Sequence, residues 1–352
     1  MRLLITFLLL LLVSSQSLAA HTDTEDALIF DDTPLKEDLH LPDWFSLSFL
    51  DLQDSLDDAL KEGKKGIILY FGRKDCAYCL SLLEINWGDP AIIKFTKEHF
   101  NVIAIDVRGD RTITDFDGKT WSEKSFSSLK KTNFTPSLLF YNAKSQLALK
   151  LPGYRPKYQF RAALEYVADA HYYHETFRQY LTRAEAALSF GSEELNEHDS
   201  FLPPPHNLDR SKKSPGMNLR KPLVVFFEHP SCHACDVLHG DTLNKPGVTT
   251  QLSSIDIDVV QVNTAGNTPI ITPSGKKTTS SEWADELKLT FAPSLIFFDE
   301  SGKEILRVES VIRLYRLNNV LRYVIGKKYK QYPTFQAWLH EVRSNHSDSS
   351  KK

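Results

Sequence analysis

All four cysteines of this 352-residue chain fall into two Cys-x-x-Cys pairs, Cys76–Cys79 and Cys232–Cys235. Each pair follows a short apolar run. Each is then followed, at nearly the same distance along the chain, by the proline of an x-Pro-Ser turn, Pro136 in one half and Pro293 in the other. Because no cysteine is left for other disulfides, the pattern indicates dithiol chemistry that is present twice.

The two halves keep a common register well beyond these motifs. The two halves align from the apolar run before each cysteine pair to a Thr-Phe motif near the end of each half, with shifts of only one residue at a time. The aligned pairs include Phe71 with Phe227, Gly118 with Gly275, Pro136 with Pro293, Tyr166 with Tyr323 and Phe177 with Phe335. Matching of this kind indicates a duplicated domain.

Each copy has the pattern of an α/β domain. The runs at 67–71 and 223–227 are apolar at every position, as expected for strands that are covered on both faces. Phe160, Ala163, Leu164 and Val167 recur at helical spacing, and the second half repeats that stripe. These stripes predict core-facing helix sides, and an additional entry helix is predicted near residues 52–60 of the first half only.

The same reading predicts the domain boundaries. We expect a first domain at 45–190, an exposed linker rich in Pro, Ser and Lys at 191–220, and a second domain at 221–343. The polar residues 344–352 are expected to form a disordered tail.

The N-terminus predicts export. Arg2, an apolar core and the small residues Ala19 and Ala20 give residues 1–20 the form of a cleavable signal peptide. The protein is therefore expected in the periplasm, where disulfides can form, without stable insertion in a membrane. The formal net charge of −3 is nearly balanced and does not indicate binding to nucleic acid.

Cysteine spacing of this kind suits a strand-to-helix junction. If a helix begins at the first cysteine, unpaired backbone N–H groups stabilise its thiolate, and the second cysteine lies one turn further on. A structural disulfide would close only a short loop and would add little stability. The residues alone favour redox activity but leave metal binding and a structural role open.

With the Pro turns included, both halves resemble thioredoxin-fold domains, and specifically the SoxW-like and DsbC-like exported thioredoxins. The resemblance rests on the strand, Cys-x-x-Cys and helix unit, on the Thr-Pro-Ser and Ala-Pro-Ser turns, and on the hairpin from Phe298 to Glu304. It implies two thioredoxin-like domains in tandem, each with a central mixed sheet flanked by helices.

The resemblance also implies roles for the motif residues. Cys76 and Cys232 would be nucleophiles, and Cys79 and Cys235 would be resolving thiols. Pro136 and Pro293 would be cis-prolines that shape the substrate groove. The residues before them, Thr135 and Ala292, would face the sulfurs and pair with the backbone of a client.

Three residues depart from the pattern of classical thioredoxins. Asp75 stands where a tryptophan is usual and is expected to oppose ionisation of Cys76. Tyr78 resembles the dipeptide of the DsbC type, and His233 is expected to favour a thiolate when it is protonated. We therefore expect the two sites to differ in redox potential.

These observations lead to one hypothesis and two alternatives. The first is an exported thiol:disulfide oxidoreductase that acts on cysteine-containing client proteins. It would use no cofactor beyond its disulfides and would act as a reductase supplied by a membrane thiol carrier. A metal-handling protein would instead bind zinc or copper through Cys232, Cys235, His229, His233 and His239. In the third hypothesis one domain is catalytic and the other, with the second domain as the candidate, is a scaffold or a client-docking module.

Overall fold

The computed structural model describes residues 28–185, 194–211, 221–245, 248, 252 and 254–349. The predicted signal peptide at 1–20 lies outside this part of the chain. Among the residues that the structure describes, no helix has the length and apolar character needed to cross a bilayer.

The first domain is a four-stranded mixed sheet with helices on both faces. Its strand order is β2-β1-β5-β6, in which β1 runs parallel to β2 and antiparallel to β5. The elements are α1 (Leu52–Lys61), β1 (Gly66–Gly72), α2 (Ala77–Ser81), α3 (Pro90–His99), β2 (Phe100–Asp106), β3 (Thr112–Thr114), β4 (Thr120–Ser122), α4 (Glu123–Leu129), β5 (Ser137–Asn142), β6 (Leu147–Pro152), α5 (Lys157–Ala168) and α6 (Phe177–Glu185). A π-helical turn, Leu82–Asn86, extends α2.

The second domain repeats this sheet with the order β9-β8-β12-β13. A π-helical turn, His239–Leu243, follows its first helix. The elements are β7 (His206–Asn207), β8 (Leu223–Glu228), α7 (His233–Leu238), β9 (Asp258–Asn263), β10 (Pro269–Ile271), β11 (Lys277–Thr279), α8 (Ser280–Glu286), β12 (Ser294–Phe298), β13 (Glu304–Val308), α9 (Leu314–Ile325) and α10 (Phe335–Ser349).

Strand β1 shows why the apolar runs contain no polar position. All seven of its residues are buried. Ile68 and Tyr70 pack into one apolar cluster, whereas Ile67, Leu69 and Phe71 pack into another on the opposite face. Strand β8 divides its residues between two clusters in the same way. The prediction of strands covered on both faces is therefore confirmed, and each domain has a core on either side of its sheet.

The entry helix of the first domain is confirmed as α1. Asp51 caps it by accepting hydrogen bonds from the amides of Gln53 and Asp54, and Leu52, Leu56 and Ala59 form its buried face.

The predicted linker is only partly a linker. His206 and Asn207 form β7, which pairs in parallel with Ile270 and Ile271 of β10. Arg210 then donates a hydrogen bond to Asp258 at 2.7 Å. This segment therefore belongs to the second domain, and the prediction of an exposed linker is wrong for it. Residues 212–220 lie outside the described part of the chain.

Both predicted ends also differ from the structure. Residues before 45 contribute to the core of the first domain, where Leu28 is buried. At the other end, α10 continues to Ser349, so most of the predicted disordered tail is helical. The apolar residues Phe335, Trp338 and Leu339 anchor α10 in the core, and the helix continues from them into the polar tail.

Candidate functional site

The first Cys-x-x-Cys pair lies where β1 leads into α2, as the sequence predicts. Cys76 is the N-cap of α2, with extended backbone angles, and its Sγ accepts a hydrogen bond from the amide of Cys79 at 3.0 Å. The two sulfurs form a disulfide, with the Cα atoms 5.1 Å apart. After reduction, the same amide is placed to stabilise a Cys76 thiolate.

The second pair has the same geometry. Cys232 is the N-cap of α7, and its Sγ accepts a hydrogen bond from the amide of Cys235 at 3.1 Å. These sulfurs also form a disulfide, with Cα atoms 5.2 Å apart. The repeat in the sequence is therefore a repeat of the site itself.

The two x-Pro-Ser turns are also equivalent. The peptide bonds Thr135–Pro136 and Ala292–Pro293 are both cis, as predicted. The following serines hold the turns closed, since Ser137 Oγ donates to the carbonyl of Phe134 and Ser294 Oγ donates to the carbonyl of Phe291, each at 2.6 Å.

The residue before the proline distinguishes the two sites. Thr135 Oγ1 lies 3.2 Å from Cys76 Sγ and accepts a hydrogen bond from Arg73 Nε at 3.3 Å. Because a disulfide sulfur carries no hydrogen, the Thr135 hydroxyl is the donor to Cys76. Ala292 has no hydroxyl to offer Cys232. The structure thus places Thr135 against the sulfur, in agreement with the resemblance.

Asp75 has a different environment from the one expected. Its carboxylate is 3.1 Å from Arg73 Nη1, 3.4 Å from Arg108 Nη1 and 2.7 Å from Arg343 Nη1. Three guanidinium groups around one carboxylate compensate its repulsion of a neighbouring thiolate. The sequence-based expectation that Asp75 opposes ionisation of Cys76 takes no account of these arginines. Arg343 in particular could not be anticipated, because it lies far from Asp75 in sequence.

Tyr78, between the first two cysteines, is buried between the domains. Its hydroxyl donates to Asp32 Oδ2 at 2.9 Å and accepts from the amide of Arg313 at 2.8 Å. Burial raises the pKa of the Tyr78 phenol well above its usual value, which keeps this donor protonated. Tyr78 is therefore part of the contact between the two domains.

The second site has a buried polar cluster that no local sequence pattern indicates. Glu228 lies at the end of β8, and both of its carboxylate oxygens are 3.1 Å from His239 Nε2. Gln261 Nε2 donates to the same carboxylate at 2.7 Å. His233, which directly follows Cys232, is partly exposed.

The side chains expected to bind a metal in the alternative hypothesis contact different groups in the structure. His239 is held by Glu228, whereas His229 Nδ1 lies 2.6 Å from the carbonyl of Pro230. Cys232 and Cys235 are bonded to each other. Within the described ranges, no three His, Cys, Asp or Glu side chains are grouped so that they could hold a metal ion. This arrangement gives the metal hypothesis no support.

Each domain therefore contains the parts needed for thiol–disulfide exchange. A first cysteine has an amide hydrogen bond at its sulfur, a second cysteine is within bonding distance, and a proline turn flanks the pair. In the structure the pairs are well covered, since Cys76 is 1% exposed and Cys232 is 6% exposed.

The chain is similar to several solved structures. They include a thioredoxin-fold protein from Helicobacter pylori, with 24% identity, coverage of 41% of this chain and 89% of that one, and a TM-score of 0.32. A thioredoxin from Thermus thermophilus has 21% identity, coverage of 35% and 88%, and a TM-score of 0.27. A disulphide isomerase from Xylella fastidiosa Temecula1 has 18% identity, coverage of 38% and 87%, and a TM-score of 0.24. No curated protein matches the sequence.

The family comparison covers more of the chain. The model of the thioredoxin-like domain matches residues 52–168 and again residues 217–325, which together are more than half of the sequence. Both matched regions contain one mixed sheet, one Cys-x-x-Cys disulfide and one x-Pro-Ser turn. The chain belongs to the thioredoxin-like domain family and contains that domain twice in tandem.

Proposed function

We propose that this protein is an exported thiol:disulfide oxidoreductase with two active sites, which exchanges disulfides with cysteine-containing client proteins. The observation that carries the proposal is the hydrogen bond from the fourth residue of each motif to the sulfur of the first, at 3.0 Å in one domain and 3.1 Å in the other. Such a bond stabilises a thiolate, which is the nucleophile in disulfide exchange.

The reaction follows from the order of the two cysteines. In the reduced protein the thiolate of Cys76 or Cys232 attacks one sulfur of a client disulfide, which forms a mixed disulfide and releases a client thiolate. Cys79 or Cys235 then loses its proton and attacks the first cysteine. That step releases the second client thiol and leaves the enzyme disulfide, so two electrons have passed to the client.

Reduction is the direction that we favour. It rests on the resemblance to SoxW-like thioredoxins and on Thr135 before the first cis-proline. Repeated turnover then requires a thiol donor, and a membrane thiol carrier is the partner proposed for that role. The cell compartment proposed is the periplasm, reached after removal of residues 1–20.

The test is equilibration of the purified protein in glutathione buffers of known ratio. Cys76→Ser and Cys232→Ser variants separate the two sites, and trapped thiols are counted by mass spectrometry. We expect each single variant to keep one dithiol that exchanges with glutathione, and the two potentials to differ. If neither pair exchanges, the oxidoreductase proposal fails.

Cell fractionation tests the location independently. The proposal expects the processed chain in the periplasmic fraction, with an N-terminus close to residue 20. Recovery of an unprocessed chain from the cytoplasm would contradict export, whatever the exchange assay shows.

A further inference from the structure

Arg316, at the start of α9 in the second domain, lies in the active site of the first. Its Nη2 donates a hydrogen bond to the carbonyl of Thr135 at 2.9 Å. Its guanidinium carbon is 3.3 Å from the centre of the Tyr78 ring and 5.2 Å from that of Phe134. The second domain thus contacts both the Cys-x-x-Cys motif and the proline turn of the first.

This contact covers the route to the first dithiol. Thr135 is the residue whose hydroxyl touches Cys76, so a polypeptide whose sulfur approaches Cys76 has to pass over Thr135. The carbonyl of Thr135 already has a donor in Arg316, and Thr135 and Cys76 are each 1% exposed. Disulfide exchange requires access to the sulfur, and the closed arrangement does not give it.

Asp32 fixes Arg316 in place. Its carboxylate accepts hydrogen bonds from the amides of Tyr315 and Arg316 at 2.9 Å and 2.8 Å, and from the hydroxyl of Tyr78. Asp32 therefore caps α9, for which Arg313 provides no side-chain cap. The N-terminal segment, the first active site and the second domain meet in this one cluster.

We propose that Arg316 determines which partners reach the first dithiol. Its guanidinium occupies the position at which the backbone of a client would pair with Thr135, and a client gains access only when α9 moves away. Calling the partners clients rests on the proposed function, but the closure itself rests only on the contacts described above.

The test measures the rate at which dithiothreitol reduces the Cys76–Cys79 disulfide in the oxidised, processed chain. Cys232→Ser and Cys235→Ser are present so that only one disulfide reports. Arg316→Leu removes the guanidinium and is expected to raise the rate about tenfold or more, because the reaction is limited by the fraction of open molecules. Arg322→Leu, an exposed position on the same helix, is the matched control and is expected to leave the rate unchanged.

A second variant tests whether faster reduction in Arg316→Leu reflects domain separation rather than local unfolding. Gly153 and Ser310 face each other across the domain contact, and even a Cβ on Gly153 would collide with Ser310. Ser310→Leu is therefore expected to separate the domains and to accelerate reduction as well. Small-angle scattering should show both variants more extended than the control, with unchanged far-ultraviolet circular dichroism.

Equal reduction rates for Arg316→Leu, Ser310→Leu and the control would overturn the gating role. That result would leave the glutathione equilibrium, and so the proposed function, untouched. Faster reduction without any exchange with glutathione would have the opposite meaning, since it would support the closure and remove the oxidoreductase proposal.

Discussion

Nε2 of His239 lies 3.1 Å from both carboxylate oxygens of Glu228, and both side chains are buried. The repeat places Gly72 and Leu83 at the corresponding positions of the first domain. The pair is therefore a feature of the second domain only. His239 lies one helical turn beyond Cys235, at the start of the π-helical turn that follows the helix carrying the second dithiol.

Removing one partner of this pair is expected to destabilise the second domain. Glu228→Leu leaves His239 buried without its acceptor, which costs about 3 kcal/mol in the free energy of unfolding. Glu228→Leu with His239→Leu is expected to cost less than the single variant, because no imidazole is then buried without its acceptor, whereas the hydrogen bond from Gln261 is lost in both variants. Urea unfolding followed by tryptophan fluorescence measures both. A double variant that is less stable than the single one would contradict this account.

The hydroxyl of Thr135 is expected to lower the thiol pKa of Cys76. Thr135→Val removes the donor while keeping the shape. It is expected to raise that pKa by about one unit, since a hydrogen bond to a charged group is worth about 1.5 kcal/mol. Ala292→Thr is the reciprocal change and is expected to lower the thiol pKa of Cys232. The pH dependence of iodoacetamide alkylation measures both, and an unchanged profile in Thr135→Val would exclude this role.

The serines after the two cis-prolines are expected to contribute equally. Ser137→Ala and Ser294→Ala each remove a buried hydrogen bond of the same length and leave a carbonyl without that donor. Each is expected to cost about 1–2 kcal/mol in its own domain. Hydrogen exchange resolved by peptide locates the loss. A clear difference between the two variants would show that the turns are not energetically equivalent.

The strand β7 is expected to make the second domain sensitive to acid. Burial lowers the pKa of His206 below its usual value of 6.5, although a backbone hydrogen bond with Gln261 acts in the opposite direction. The unfolded chain therefore binds more protons just below pH 6.5, and stability falls as the pH decreases through the window between 6.5 and the folded pKa.

His206→Gln is expected to remove this contribution. The difference in unfolding free energy between wild type and variant should then change between about pH 7.5 and pH 5. His174→Gln, at an exposed position in the first domain, provides the control. A constant difference across this range would show that His206 does not report on the folding of β7.

Local patterns were sufficient to predict the fold of each domain and the dithiols. The apolar runs become β1 and β8, the paired cysteines lie at helix starts, and the x-Pro-Ser turns are cis, because each of these features is encoded by residues close in sequence. The contact between Arg316 and Thr135 joins residues 181 positions apart, and no local pattern carries that information. Strand β7 could not be predicted, because two residues are too few to show the alternation of apolar and polar side chains that marks a strand.

The Glu228–His239 pair lies between these extremes, since its residues are close in sequence but their contact could not be predicted. Both residues lie close to the second motif in sequence, but the pattern around it suggests only a metal-ligand role for His239. The contact of His239 with the end of β8 could not be predicted from the sequence, because it depends on the π-helical turn that begins at His239. The arginines around Asp75 were missed for a related reason, since Arg108 and Arg343 come from a loop and from the last helix.

Asp32 and Arg316 are separated by 284 positions, so their contact joins nearly the two ends of the folded chain. A chain that crosses a membrane from its N-terminus delivers Asp32 and the whole first domain before α9 arrives. During that interval Cys76 and Cys79 have no second domain to cover them. Under the proposed export, each new molecule would therefore pass through one period in which its first dithiol is open to oxidants and partners, and this period would end when the C-terminal helices arrive.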